Sequence, residues 1–153
     1  MNDNAFERNG FRISADKGLI DFETVYNYLN DESYWGKGLP KETLKKAIEN
    51  SICFGIYKQG KQAGFARVIT DKATFAYICD VFILTGYRRL GLSKWLVQTI
   101  KQYPELQGLR RWSLATLDAH GLYEQFGFTV INWPERWMEI FTPYKLQDQG
   151  AEK

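Results

Sequence analysis

Two segments of this 153-residue chain carry side chains whose types and spacing could do chemistry. In the first, the apolar run Val81-Phe82-Ile83-Leu84 leads through Thr85-Gly86-Tyr87 into the basic turn Arg88-Arg89-Leu90-Gly91, and then into an amphipathic stretch opening at Leu92-Ser93-Lys94. A strand that ends in a turn and opens a helix aims several unpaired N–H groups, and the positive end of the helix dipole, at one spot. Phosphate groups bind such spots. Gly91 lets a ligand approach the backbone, and Arg88 and Arg89 add charge that a diphosphate could use. Taken alone, the same residues also read as an ordinary strand–turn–helix with solvated arginines.

The second segment is Thr116-Leu117-Asp118-Ala119-His120-Gly121-Leu122-Tyr123-Glu124-Gln125-Phe126-Gly127-Phe128. It reads as a short helix with Asp118 as N-cap, Leu122 and Phe126 at i, i+4 on the apolar stripe, and Gly127 at the left-handed stop position. That pattern puts Tyr123 off the main stripe. By itself Tyr123 is a packing residue.

Together and in this order, the two segments resemble the signatures of the GNAT superfamily of acyl-CoA-dependent N-acetyltransferases. Arg88-x-x-Gly91-x-Ser93 is similar to the family's Q/R-x-x-G-x-G/A, and the second segment resembles N-x-x-A-x-x-L-Y-x-x-x-G-F. The chain departs from the pattern at Ser93, where the family has a small Gly or Ala, and at Thr116, where it often has Asn.

The resemblance implies acetyl-CoA as cosubstrate and no metal. Carried over residue by residue, it places main-chain contacts to the pantetheine arm at Val81, Phe82 and Ile83. It places the pyrophosphate at Arg88, Arg89, Leu90, Gly91, Leu92, Ser93 and Lys94, and a further cofactor contact at Ala119. Tyr123 would face the thioester sulfur and donate a hydrogen bond to the departing thiolate.

Acyl transfer needs a neutral amine. An alkylamine is mostly protonated at neutral pH, a cost of about 4.6 kcal/mol. Asp80, a lone acid in Ala76-Tyr77-Ile78-Cys79-Asp80-Val81-Phe82, is the candidate base, because a carboxylate in such a run is partly desolvated. The alternative is a structural Asp80 paired with an arginine. His120, the only histidine, is the rival base. For the acceptor pocket the candidates are Asp31, Glu32, Tyr34, Trp35, Trp133 and Trp137. A Tyr34-Trp35 pair among acids suits a cationic amine, although loop anchoring explains the aromatics equally well.

The elements that must position these groups follow from periodicity. Strands are expected at 11–14, 51–57, 62–70, 74–84 and 111–116, with closing strands at 128–131 and 137–141. Helices are expected at 21–29, from Pro40 at its first position to about Asn50, at 91–102, and around Tyr123. The order β-α-α-β-β-β-α-β-α-β-β is that of the GNAT fold: an α/β (α+β) architecture with a central, mixed, mostly antiparallel sheet of six to seven strands, splayed at the cofactor site. Residues 1–146 are expected to form a single domain, with 147–153 as a polar tail.

Composition narrows the class. A hydrophobic content of 44% is that of a globular protein, and a formal net charge of +2 with 18 acids is a poor footprint for nucleic acid. The start Met1-Asn2-Asp3-Asn4 has no basic or apolar leader region, and no apolar run approaches a membrane span. The expectation is a cytoplasmic protein without nucleic-acid or membrane partners. Its acceptor would be a small-molecule or peptide amine, and homodimer formation is open. Cys53 and Cys79 read as buried thiols. A catalytically weak CoA-binding sensor on the same fold is the competing function.

Overall fold

A computed structural model describes residues 6–145, and the expected tail at 147–153 lies outside them. The chain opens with a hairpin of β1 (Glu7–Arg8) and β2 (Phe11–Ser14), closed by Asn9-Gly10 with both residues at positive φ. That is the chemistry of a two-residue primed turn, and the Asn-Gly pair was a legible signal for a strand that periodicity alone did not suggest. Helices α1 (Phe22–Asn27) and α2 (Lys41–Glu49) follow, separated by a π turn, Tyr28–Glu32, and the loop beyond it. Asp21 caps α1 by accepting from the Thr24 N–H at 3.2 Å. Pro40 precedes α2 as its N-cap residue rather than occupying the first helical position.

Three long strands form the expected meander: β3 (Ile52–Lys58), β4 (Lys61–Thr70) and β5 (Phe75–Ile83). Helix α3 (Leu92–Gln102), strand β6 (Arg111–Leu114) and the short helix α4 (His120–Glu124) complete the regular elements. The six strands lie in the order β1-β2-β3-β4-β5-β6, antiparallel throughout except for the parallel β5–β6 pair.

Both faces of this open sheet are covered. Ile13, Phe54, Ile56, Val68, Ala76 and Ile78 pack with Trp95, Leu96 and Ile100 of α3. On the other face, Cys53, Phe65 and Phe82 pack with Val25, Leu29, Leu44 and Ile48 of the α1–α2 layer. Trp95 is thus a core residue.

Strand β5 changes face midway, and this feature shapes the site. Ala76 and Ile78 point to the α3 side, yet so does Ile83, while Phe82 points to the other. Strict alternation forbids that. The register explains it: Phe65 faces Phe82 and Arg67 faces Cys79, so Asp80 and Val81 together oppose one residue of β4. This is a β-bulge, with Asp80 at φ 54°, a left-handed conformation that Asp tolerates better than most side chains.

The expected closing strands at 128–131 and 137–141 are corrected by the structure. Neither range forms a strand among the described residues; the chain there is irregular or extended and pairs with no part of its own sheet. Alternating apolar residues create strand propensity, but a strand exists only where another backbone supplies the hydrogen bonds.

Candidate active site

The site begins where β5 and β6 part. Their parallel pairing covers Phe75 to Ile78 on β5 and Arg111 to Leu114 on β6, and then stops. β5 continues for five more residues, so its edge from Cys79 to Ile83 has no partner on the β6 side among the described residues. The bulge lies at the mouth of this gap and rotates Asp80 out of the regular alternation.

Beyond Ile83 the chain makes a 3₁₀ turn, Thr85–Tyr87, and reaches the N-terminus of α3. Arg89 (φ 66°) and Gly91 (φ 77°) are both left-handed, and among the described residues no side-chain hydrogen bond caps the helix. Its first N–H groups are therefore open to an anion, in a concavity of the kind that successive backbone amides build. Arg88 turns inward: its Nε donates to the Ile83 carbonyl at 3.0 Å and its guanidinium to the Tyr28 hydroxyl at 3.1 Å. Tyr28 in turn stacks on Phe82, with ring centroids 4.0 Å apart. Arg88 thus braces the turn while staying exposed, and Arg89 and Lys94 are further exposed cations beside it.

The loop after the π turn spans the gap from above. Ser33 Oγ donates to the Leu29 carbonyl at 2.6 Å and accepts from the Gly36 N–H, which fixes the loop's base. Gly36 is required there, since a Cβ would sit 2.7 Å from the Leu29 carbonyl oxygen. The rings of Tyr34 and Trp35 meet edge to face at 5.0 Å, and each side chain reaches a different wall. Tyr34 Oη accepts from the Leu117 N–H at 3.0 Å, just past β6, while Trp35 Nε1 donates to Asp80 Oδ1 at 2.9 Å, on β5. Arg67 Nε donates to the other carboxylate oxygen of Asp80 at 2.8 Å, and the Arg67 guanidinium also reaches Ser51 Oγ at 3.1 Å. The Arg67–Asp80 pair is largely buried, with side chains 16% and 12% exposed.

On the far wall, Tyr123 is the buried residue of α4, packed edge to face on Phe128 at 5.8 Å. Leu122 and Phe126 are only half-buried, so the apolar stripe read from the sequence is displaced by one residue. Asp118 is not the N-cap; Ala119 holds that position, and its N–H donates to Thr116 Oγ1 at 3.0 Å. Gly127, at φ 93°, ends the helix where expected. Burial first, and then the neighbouring Tyr34, pushes the Tyr123 phenol up to about 12, so it remains a proton-bearing donor at neutral pH.

Residues 22–128, which hold every part of this site, match the acetyltransferase (GNAT) family model. The chain belongs to the GNAT acetyltransferase family. A candidate acetyltransferase of Gibberella zeae is 31% identical over 138 residues, covering 76% of this chain and 77% of that protein. The crystal structure of a candidate GNAT acetyltransferase from Xanthomonas campestris is 44% identical, with a TM-score of 0.86 over 90% of this chain and 96% of that one. A Clostridium acetobutylicum acetyltransferase crystallised with acetyl-CoA shares the fold at 14% identity and a TM-score of 0.63, covering 86% of this chain and 94% of that chain.

Within this GNAT chain the sequence-predicted residues separate into groups. Tyr34, Trp35 and Asp80 form one bonded cluster at the gap, and Tyr34 also lies close enough to Tyr123 to influence its hydroxyl. Val81, Phe82 and Ile83 lie along the unpaired edge of β5, and Leu90 to Lys94 surround the open end of α3. Glu32 ends the π turn and is exposed, as is His120 at the first position of α4. Trp133 and Trp137 carry Arg136 and Arg111 guanidinium groups against their rings, at 4.5 and 4.8 Å. Arg67 was not foreseen. Its signal was an arginine in the otherwise apolar run Ala63–Ile69, which at a buried position demands an acidic partner. Among the described residues, no group of three His, Cys, Asp or Glu side chains could hold a metal ion.

Proposed function

We propose that this GNAT protein transfers the acetyl group of acetyl-CoA to a primary amine of a small molecule or peptide, directly, within a ternary complex. The observation that carries the reading is the free edge of β5, Cys79 to Ile83, leading into the uncapped, left-handed turn at the start of α3. An extended amide-bearing chain ending in a diphosphate matches that sequence of groups: strand-edge hydrogen bonds first, then helix-terminal N–H groups with Arg89 and Lys94 beside them. When bound, acetyl-CoA supplies the activated acetyl thioester; this chain's residues orient the reactants and manage protons.

Tyr123 is the donor that stabilises the leaving thiolate. Its raised pKa makes full proton transfer unfavourable, so it acts as a hydrogen-bond donor in the transition state. Asp80 receives the amine's proton, directly or through one water. One hydrogen bond to each of its oxygens from Trp35 and Arg67 leaves other acceptor sites on the carboxylate. Trp35, Tyr34 and the exposed acids Asp31 and Glu32 form the entrance for a cationic acceptor. Thiol release from acetyl-CoA should appear when the purified protein meets a panel of primary amines. Confirmed CoA binding with no release across the panel would favour the competing reading, a CoA sensor.

A further inference from the structure

Between the first hairpin and the start of α3 lies a concavity that shares only the turn itself with the site described above. It is lined chiefly by Arg8, Phe11, Lys58, Leu90, Leu92 and Trp95 and encloses about 240 Å³, room for about eight water molecules. Phe11, Leu92 and Trp95 are buried and form an apolar floor, while Arg8 and Lys58 are exposed at the rim.

Strand register puts the cations there. Arg8 of β1 stands opposite Phe11 of β2, Phe11 opposite Lys58 of β3, and Lys58 opposite Lys61 of β4, so the four side chains share one face at the end of the sheet. Glu7, the neighbouring acid, alternates to the other face, opposite Arg12. Among the described residues no acid pairs with Arg8 or Lys58. Aromatic rings hold them instead: the Arg8 guanidinium lies 5.2 Å from the centre of the Trp95 ring, and the Lys58 ammonium 4.8 Å from that of Phe11. A ring face steadies a cation without neutralising it. The concavity therefore presents two uncompensated positive charges above an apolar floor. One carboxylate answers one cation, whereas a phosphate monoester carries close to two negative charges at neutral pH and three strong acceptor oxygens, enough for both.

We propose that this concavity is a second phosphate site, in which Arg8 and Lys58 hold a phosphate monoester and Phe11, Leu92 and Trp95 carry the small body that bears it. Two molecules can bring that group. One is CoA itself, whose ribose bears a phosphate monoester in addition to the diphosphate; the other is a separate small phosphorylated compound. The first source rests on the proposed seating of the diphosphate at the turn into α3, and the second does not. Either occupant touches Leu90 and Leu92, on both sides of the left-handed Gly91 that shapes the diphosphate cradle.

Calorimetry with CoA, dephospho-CoA and phenyl phosphate separates the sources. The variant is Arg8→Gln combined with Lys58→Gln, which removes two charges from exposed positions and keeps both stems. If CoA is the source, the native protein binds CoA at least about tenfold tighter than dephospho-CoA, and the variant binds the two alike. If the source is separate, phenyl phosphate binds the CoA-loaded native protein, and its dissociation constant rises at least about tenfold in the variant. The site is overturned if the substitutions change neither the preference for CoA nor the binding of phenyl phosphate, or if the native protein shows neither. Hydrogen exchange on the native protein needs no variant: amides of 8–11 and 58–61 should slow when CoA replaces dephospho-CoA or when phenyl phosphate is added, and unchanged exchange with every probe would also overturn the site. Should CoA and dephospho-CoA both fail to bind, the proposed function falls, and phenyl phosphate on the empty protein still decides the site.

Discussion

Two side chains concentrate the chemistry, and they can be tested separately. Tyr123→Phe keeps the ring against Phe128 and removes the hydroxyl, so acetyl-CoA affinity should be nearly unchanged while turnover falls about 10–100-fold, toward the lower end of what a positioned acid contributes. Steady-state kinetics with acetyl-CoA varied would show it; undiminished turnover would remove Tyr123 from the mechanism. Asp80→Asn should slow the reaction mainly below neutral pH, where few acceptor amines are already neutral. Superimposed pH–rate profiles would instead make Asp80 a structural partner of Arg67 and Trp35. The sequence revealed Asp80 as an isolated acid and Tyr123 through its motif. It did not reveal the Trp35–Asp80–Arg67 connection, because those residues are 45 and 13 positions apart and only the bulge brings the carboxylate between them.

At the scale of the element, the turn into α3 is a backbone device rather than a packed one. Nothing lies within 4 Å of a Cβ placed on Gly91, so Gly91→Val would act through its φ of 77° and not through a clash. A β-branched residue held left-handed costs about 1–2 kcal/mol, and relief of that strain would close the open N–H groups. Calorimetry should show acetyl-CoA affinity at least about tenfold weaker, with folding stability lowered by about that strain; unchanged affinity would refute the anion cradle. The elements themselves were legible wherever their apolar face is buried within the chain. The meander from Ile52 to Ile83 and the α3 helix were read within a residue or two of their observed ends, because their apolar periodicity matches a face that is buried within the chain. Residues 137–141 show the same alternation without a strand, since periodicity records which side chains alternate and not whether another backbone supplies the hydrogen bonds.

Taken whole, the molecule is a sheet protected from water on both faces, and several ionisable groups lie within it. Burial pushes the Cys53 thiol up to about 11 and the Cys79 thiol up to about 12, and it raises the Tyr57 phenol as well. Both cysteines are free thiols. In the unfolded chain the thiols lose their protons near pH 8.5, whereas the folded chain holds them well above that. The stabilisation from keeping them neutral is therefore complete below the unfolded value and is lost as pH rises through the folded values. Across about pH 9 to 11 each thiol should remove about 1.4 kcal/mol of stability per pH unit, a steep loss against a total of about 5–15 kcal/mol. Urea unfolding under reducing conditions should show the midpoint falling sharply over that range. Replacing Cys53 and Cys79 together by Ala lowers the starting stability by truncating packed side chains, but the quantity to compare is the slope. It should become markedly shallower between pH 9 and 10, before the tyrosines contribute, and equal slopes in the two proteins would mean that the thiols already meet solvent in the folded state.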